Sequence, residues 1–161
     1  MDLFLIRHAD ALPIGEHGIE TDEERPLSAK GEAQAETLAK VLASRGIALD
    51  RFFTSPLVRS RQTAEIMLRT WANPDLSLEN CDELAPGCKP RKLGKFLLKT
   101  DGEKVGLVGH MPDLAEFIGW LIGDKDARIE MAKCGIALVS CGDAPGKGTG
   151  NLEWLVTPAW Y

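Results

Sequence analysis

Short apolar runs rich in β-formers alternate with longer segments of helical period, and few architectures accommodate that order. Leu3–Ile6 is a continuous apolar run, the pattern of a strand covered on both faces. An irregular polar stretch from Leu12 to Arg25 follows. Ser28 can then cap a helix to about Arg45, with Ala35, Leu38, Ala39 and Leu42 on one face and Gly46 placed to end it. Arg51–Thr54 reads as a second strand, and Ser55-Pro56 as the cap and first residue of a helix to about Trp71. A short strand at Leu76–Glu79 comes next, then a helix over Arg91–Lys99 with Leu93, Phe96 and Leu97 on one stripe, then a strand at Lys104–Val108. From Pro112 onward, Leu114, Phe117, Ile118, Leu121 and Ile122 recur at helical spacing, the clearest periodic signal in the chain. Ile136–Ser140 and Leu152–Val156 predict an antiparallel pair of strands joined by the Gly-rich loop Cys141–Gly150. This order predicts an α/β fold. It would be a three-layer sandwich with a mostly parallel central sheet, helices on both faces and an antiparallel strand near the C-terminus.

The 161 residues are expected to form a single domain, 1–161, whose core needs no disulfide or metal staple. A balance of 19 Lys+Arg against 24 Asp+Glu, net −5, is ill suited to sequence-independent nucleic-acid binding, yet it leaves room for a local cationic pocket. No apolar run approaches the roughly 20 residues needed to span a bilayer, so no membrane partner is expected. Met1-Asp2 runs straight into Leu3–Ile6 without the features of a secretory leader, and the expected location is cytoplasmic. Cys81/Cys88 and Cys134/Cys141 lack the close spacing of structural zinc ligands, which predicts free, partly buried thiols and no metal.

In parallel α/β sheets, ligands bind beyond the carboxyl ends of the strands. Here Leu3–Ile6 ends in Arg7-His8, Arg51–Thr54 runs into Ser55-Pro56 with Arg59 just beyond, and Lys104–Val108 ends in Gly109-His110. Each of these residues alone is ordinary. At one sheet edge they make a dianion site, because arginine presents a fork of donors that suits phosphate oxygens. Two arginines and a protonated histidine can offset a phosphoryl charge, helped by helix N-termini after Ser55 and near Pro112. The other histidine is then free to act as a nucleophile, with charge stabilisation coming from these side chains.

The string Leu5-Ile6-Arg7-His8-Ala9 resembles the Arg-His-Gly signature of the histidine phosphatase (phosphoglycerate-mutase-like) superfamily. Arg25-Pro26-Leu27-Ser28-Ala29-Lys30-Gly31, Ser55 through Ala64 (SPLVRSRQTA) and Val108-Gly109-His110 are similar to its later motifs, in order, so the resemblance covers almost the whole chain. The short length and Glu83-Leu84-Ala85-Pro86 look most like the SixA-type phosphohistidine phosphatases. The resemblance implies His8 as the phosphoryl-accepting nucleophile, Arg7, Arg59 and His110 as the phosphate pocket, and no cofactor. It also implies a phosphohistidine-bearing protein, a histidine kinase or phosphotransfer domain, as substrate, and we expect the chain to act as a monomer. Two positions depart from the pattern. Ala9 stands where the signature has Gly, and Ile14 replaces an Asn that sugar-phosphate mutases carry, which argues against a mutase role.

Glu83 is either a leaving-group proton donor, a pocket-wall residue or a structural turn residue. Asp10 and Arg25 are candidates to pair near the mouth. The Gly146–Gly150 run lacks phosphate-loop spacing and reads as a hairpin loop. His17 is expected to be exposed, Trp71 and Trp120 to lie in the core or at its edge, and Trp154, Trp160 and Tyr161 to pack over the sheet. The chemistry leaves two alternatives: a phosphatase of small phosphomonoesters or phosphoanhydrides, and an idle phosphate-binding module.

Overall fold

A computed structural model describes residues 1–71, 75–142 and 144–161. The first strand, β1 (Asp2–Arg7), shows how the layers arise. Successive side chains point to opposite faces, so Leu3 and Leu5 enter one core cluster while Phe4 and Ile6 enter another. The first cluster is completed by α3 (Pro90–Leu97) and α4 (Asp113–Ile122), the second by α1 (Ala29–Ser44) and α2 (Val58–Trp71). Three layers follow from that alternation.

The remaining strands are β2 (Arg51–Thr54), β3 (Leu78–Asn80), β4 (Lys104–Gly109), β5 (Ile136–Cys141) and β6 (Gly150–Val156). They form one sheet of order β3-β2-β4-β1-β5-β6. β1 to β4 run parallel, while β5 is antiparallel to β1 and to β6. The expected α/β sandwich with an antiparallel C-terminal pair is therefore the observed fold. Among the described residues no helix is long and apolar enough to cross a membrane.

Several boundaries differ from the sequence expectation, each for a local reason. α2 begins at Val58, beyond the expected Ser55-Pro56 start, because the Ser55 hydroxyl is engaged by His110 at 2.8 Å and receives the Leu57 N–H only at 3.4 Å. The third strand is shifted to Leu78–Asn80, a three-residue edge strand whose register is set by pairing with β2. The Gly-rich loop opens strand β6, and its position 143 lies outside the described residues. Arg45 caps α1, and Gly46 follows with φ +68, where an L side chain is disfavoured. Trp71 and Trp120 are half-buried against the two clusters, and His17 is exposed, as expected. The tail divides: Trp154 meets Phe4 edge-on at 6.2 Å and Tyr161 donates to the Cys134 carbonyl at 2.5 Å, but Trp160 is 80% exposed rather than packed over the sheet.

One contact explains much of the second motif. Ser28 caps α1 by accepting the Gly31 N–H at 3.1 Å and donates to Asp10 Oδ2 at 2.6 Å. A side chain at Gly31 would put its Cβ 2.0 Å from the Asp10 carbonyl oxygen. The start of α1 is thus seated directly on the segment that leaves β1.

Candidate active site

The parallel strands β1, β2 and β4 end at one edge, and each delivers a site residue there. Arg7 ends β1 opposite Gly109, the last residue of β4, and the His8 N–H donates to the Gly109 carbonyl at 3.0 Å. His8 and His110 therefore leave adjacent strands side by side, with ring centroids 5.1 Å apart. Arg59 lies near the start of α2, two residues into the helix that follows β2.

The proton on His8 can be placed by its partners. Nδ1 is 2.8 Å from the Ala9 carbonyl, which only accepts, and Nε2 is 3.2 Å from Arg59 Nε, which only donates. Both contacts put the proton on Nδ1 and the lone pair on Nε2. Burial first, then the charges of Arg59, Arg7 and Lys133, lower the His8 pKa to about 4 against the opposing bond to Ala9. The ring is neutral near pH 7, with its unprotonated nitrogen beside a guanidinium.

His110 is held by the Ser55 hydroxyl at 2.8 Å and the Ser60 hydroxyl at 3.3 Å, both on Nε2. Burial, then His8, Arg59 and Arg7, push its pKa down to about 3, with Asp22 opposing. Without an anion His110 is neutral, and only a bound dianion would favour its protonation. Its Nδ1 and the Nε of Arg7 are the two buried side-chain nitrogens that lack a hydrogen-bond partner among the described residues. Arg7 is otherwise anchored by Nη1 donating to the Met131 carbonyl at 2.7 Å. Two unpaired groups on adjacent strand ends are suited to anionic oxygens, since buried polar groups are ordinarily bonded.

Arg59 is 4% exposed, and each of its three nitrogens makes a hydrogen bond. Nη1 donates to the Asp22 carbonyl at 2.5 Å and Nη2 to Asp22 Oδ2 at 2.8 Å. The irregular stretch thus reaches back to the site. Thr63 accepts the Ala9 N–H at 3.1 Å and donates to the Arg59 carbonyl at 2.7 Å, while Gln62 accepts the Leu27 N–H at 2.7 Å. These motif residues align the elements that carry His8 and Arg59. Ala9 is fully buried with φ outside the left-handed region, so the Gly-to-Ala departure introduces no backbone strain there.

Other expectations resolve differently. Asp10 pairs with Lys133 at 2.5 Å and Arg25 with Asp22 at 2.9 Å, so the suggested Asp10–Arg25 pair does not form. Glu83 lies in a 3-10 turn (Asp82–Leu84) after β3, where its carboxylate receives the Cys81 thiol at 3.5 Å. No hydrogen bond joins it to either imidazole among the described residues. Burial raises the Cys81 pKa to about 12, which keeps that thiol a donor. All four cysteines are free, with Cys88 partly exposed and the others buried. The sequence reading missed Asp22, Ser60, Thr63 and Lys133. Ser60 and Thr63 adjoin Arg59 in the motif, a signal that was available; Asp22 carries none.

The paired imidazoles have consequences for stability. Both folded pKa values lie below the ordinary 6.5, so the unfolded chain binds more protons as pH falls below that value. Their contribution is complete above pH 6.5 and is lost on acidification toward pH 4 and 3. The slope approaches about 1.4 kcal/mol per pH unit for each ring. Denaturant midpoints are expected to fall between pH 6.5 and 4.5, before most carboxylates titrate; a flat profile there would contradict the buried neutral pair.

A neutral imidazole and arginines thus gather at the carboxyl ends of the parallel strands of an α/β fold. Residues 3–88, more than half of the 161, match the histidine phosphatase superfamily (branch 1), and the chain belongs to that family. An uncharacterized protein of Picosynechococcus sp. is 32% identical, over 99% of this chain and 98% of its own length. Among solved structures, the protein histidine phosphatase SixA complexed with tungstate superposes with TM-score 0.85 at 24% identity, covering 99% of this chain and 98% of that one. A putative phosphohistidine phosphatase SixA from Agrobacterium tumefaciens gives TM-score 0.79 at 24% identity, covering 98% and 97%. The fold is SixA-like.

Proposed function

We propose that the protein is a phosphatase that removes phosphoryl groups from phosphohistidine on a protein partner through a phospho-His8 intermediate. The observation that carries this reading is the Nε2 lone pair of His8, fixed by the Ala9 and Arg59 contacts in a neutral ring. Nε2 attacks phosphorus as the bond to the substrate imidazole breaks; that ring, which enters already protonated on its other nitrogen, departs as neutral imidazole. Water then attacks the phosphorus, the bond to His8 breaks, and inorganic phosphate leaves. Arg7, Arg59 and His110 supply the donors that meet charge on the phosphoryl oxygens. This chemistry draws its positive charge from the chain itself.

Leaving-group chemistry and the placement of Glu83 support a phosphohistidine substrate over an ester. Imidazole is a good leaving group once protonated, with a free pKa of about 6.5, so a strong general acid is dispensable. Glu83, the candidate acid, is bonded to Cys81. The likeness in fold to proteins described as SixA points the same way.

Turnover of a phosphohistidine protein and of an alkyl phosphomonoester, with and without Glu83→Gln, separates the readings. We expect phosphohistidine turnover to exceed ester turnover in the wild-type protein and to survive Glu83→Gln within a few-fold. Ester hydrolysis is expected to fall about 100-fold if Glu83 protonates that leaving group. An equal loss on both substrates contradicts this assignment, and binding without turnover of either would favour the idle module.

A further inference from the structure

Arg59 lies beside the His8 nitrogen that must attack, and each of its three nitrogens already makes a hydrogen bond. Its Nε–H lies on the His8 lone pair that must attack, at 3.2 Å. Its two Nη groups hold the carbonyl and the carboxylate of Asp22, and each retains one further N–H. Asp22 does not depend on Arg59 for its place. Its other carboxylate oxygen receives Arg25 Nη1 at 2.9 Å, and Arg25 Nε donates to the Leu12 carbonyl at 2.7 Å. Hydrogen bonds from Arg25 and Arg59 keep the Asp22 carboxyl below the usual carboxylate range against the effect of burial, so it is charged near neutral pH. Its field also reaches His110. The Asp22 side chain is 46% exposed where that of Arg59 is 5%, so the carboxylate occupies the solvent side of the guanidinium.

We propose that Asp22 is a positioning residue that acts as an internal stand-in anion: it holds Arg59 against His8 between turnovers and competes with the bound phosphoryl group for the same guanidinium. The inference rests on the reading that phosphoryl groups bind at His8 and Arg59. A dianion drawing on the remaining N–H groups of Arg59 lies close to the Asp22 charge, and the repulsion weakens its hold. Weak binding costs little before the chemical step, because Arg7 and His110 also contribute donors. It helps afterwards, when inorganic phosphate has to leave. Movement of Arg59 toward the phosphoryl oxygens also frees the His8 lone pair, so one displacement both binds the substrate and exposes the nucleophile.

The effect depends on the charge of Asp22 more than on its hydrogen bond, and this gives the test a diagnostic sign. Asp22→Asn retains an oxygen that can accept from Arg59 but loses the negative charge. Calorimetric titration with inorganic phosphate is expected to show the Asn variant binding about fivefold tighter than wild type, the upper range for a half-exposed charge pair. Product inhibition by phosphate should strengthen and KM fall in parallel. Asp22→Glu is expected to stay near wild type. Asp22→Ser removes the same charge with a smaller side chain and carries the test if the Asn variant is unstable. A purely structural role predicts weaker phosphate binding in the neutral variants, and unchanged or weaker binding in a folded variant overturns the inference. Failure of the wild-type protein to bind phosphate at all would instead overturn the phosphatase reading on which it rests.

Discussion

Replacement of His8 by alanine is expected to lower kcat at least about ten-thousand-fold, the scale seen when a covalent nucleophile is removed. His110 is close, with ring centroids 5.1 Å apart, but its Nε2 is committed to Ser55 and Ser60. The loss should appear in kcat with phosphate affinity kept within several-fold, because Arg7, Arg59 and His110 remain. Steady-state kinetics and phosphate titration on the same preparation check both parts. Activity within tenfold of wild type would remove His8 from the mechanism.

The second large effect is expected at Arg59. Arg59→Lys should reduce kcat/KM by about 100- to 1000-fold, the cost of losing one well-placed donor to developing charge. The change looks conservative and is not. The guanidinium makes three directed contacts, to His8 Nε2, the Asp22 carbonyl and the Asp22 carboxylate. A lysine ammonium supplies the charge but not that fork. Residual orientation of the loop through Arg25 and Asp22 should keep the variant folded, which a thermal melt verifies. Near-normal kcat/KM in a folded Lys variant would show that charge alone suffices.

Much of this arrangement was legible because it follows from short sequence distances. His8 and His110 come directly after strands with continuous apolar runs, and Arg59 lies a few residues past the end of another. Parallel strands necessarily bring such positions to one edge. Asp22 was hidden because its role depends on the path of the aperiodic stretch from Leu12 to Arg25, which folds back to meet Arg59. Lys133 was hidden likewise: it reaches Asp10 from the far side of the chain, 123 residues away. The start of α2 was misjudged because Ser55-Pro56 fits a cap in sequence, while in three dimensions His110 claims the hydroxyl. The neutral state of both rings without an anion was hidden for a related reason. Sequence shows two rings near arginines, but only packing reveals that both are buried with like charges around them.

The phosphoenzyme itself gives the most direct test. Wild-type protein mixed with a labelled phosphohistidine protein and quenched within milliseconds in denaturing alkali, which spares the P–N bond, should carry label on Nε2 of His8. Mass mapping should place it there, and His8→Ala should carry none. Label on any other residue, or equal label in the His8→Ala variant, would contradict a phospho-His8 intermediate.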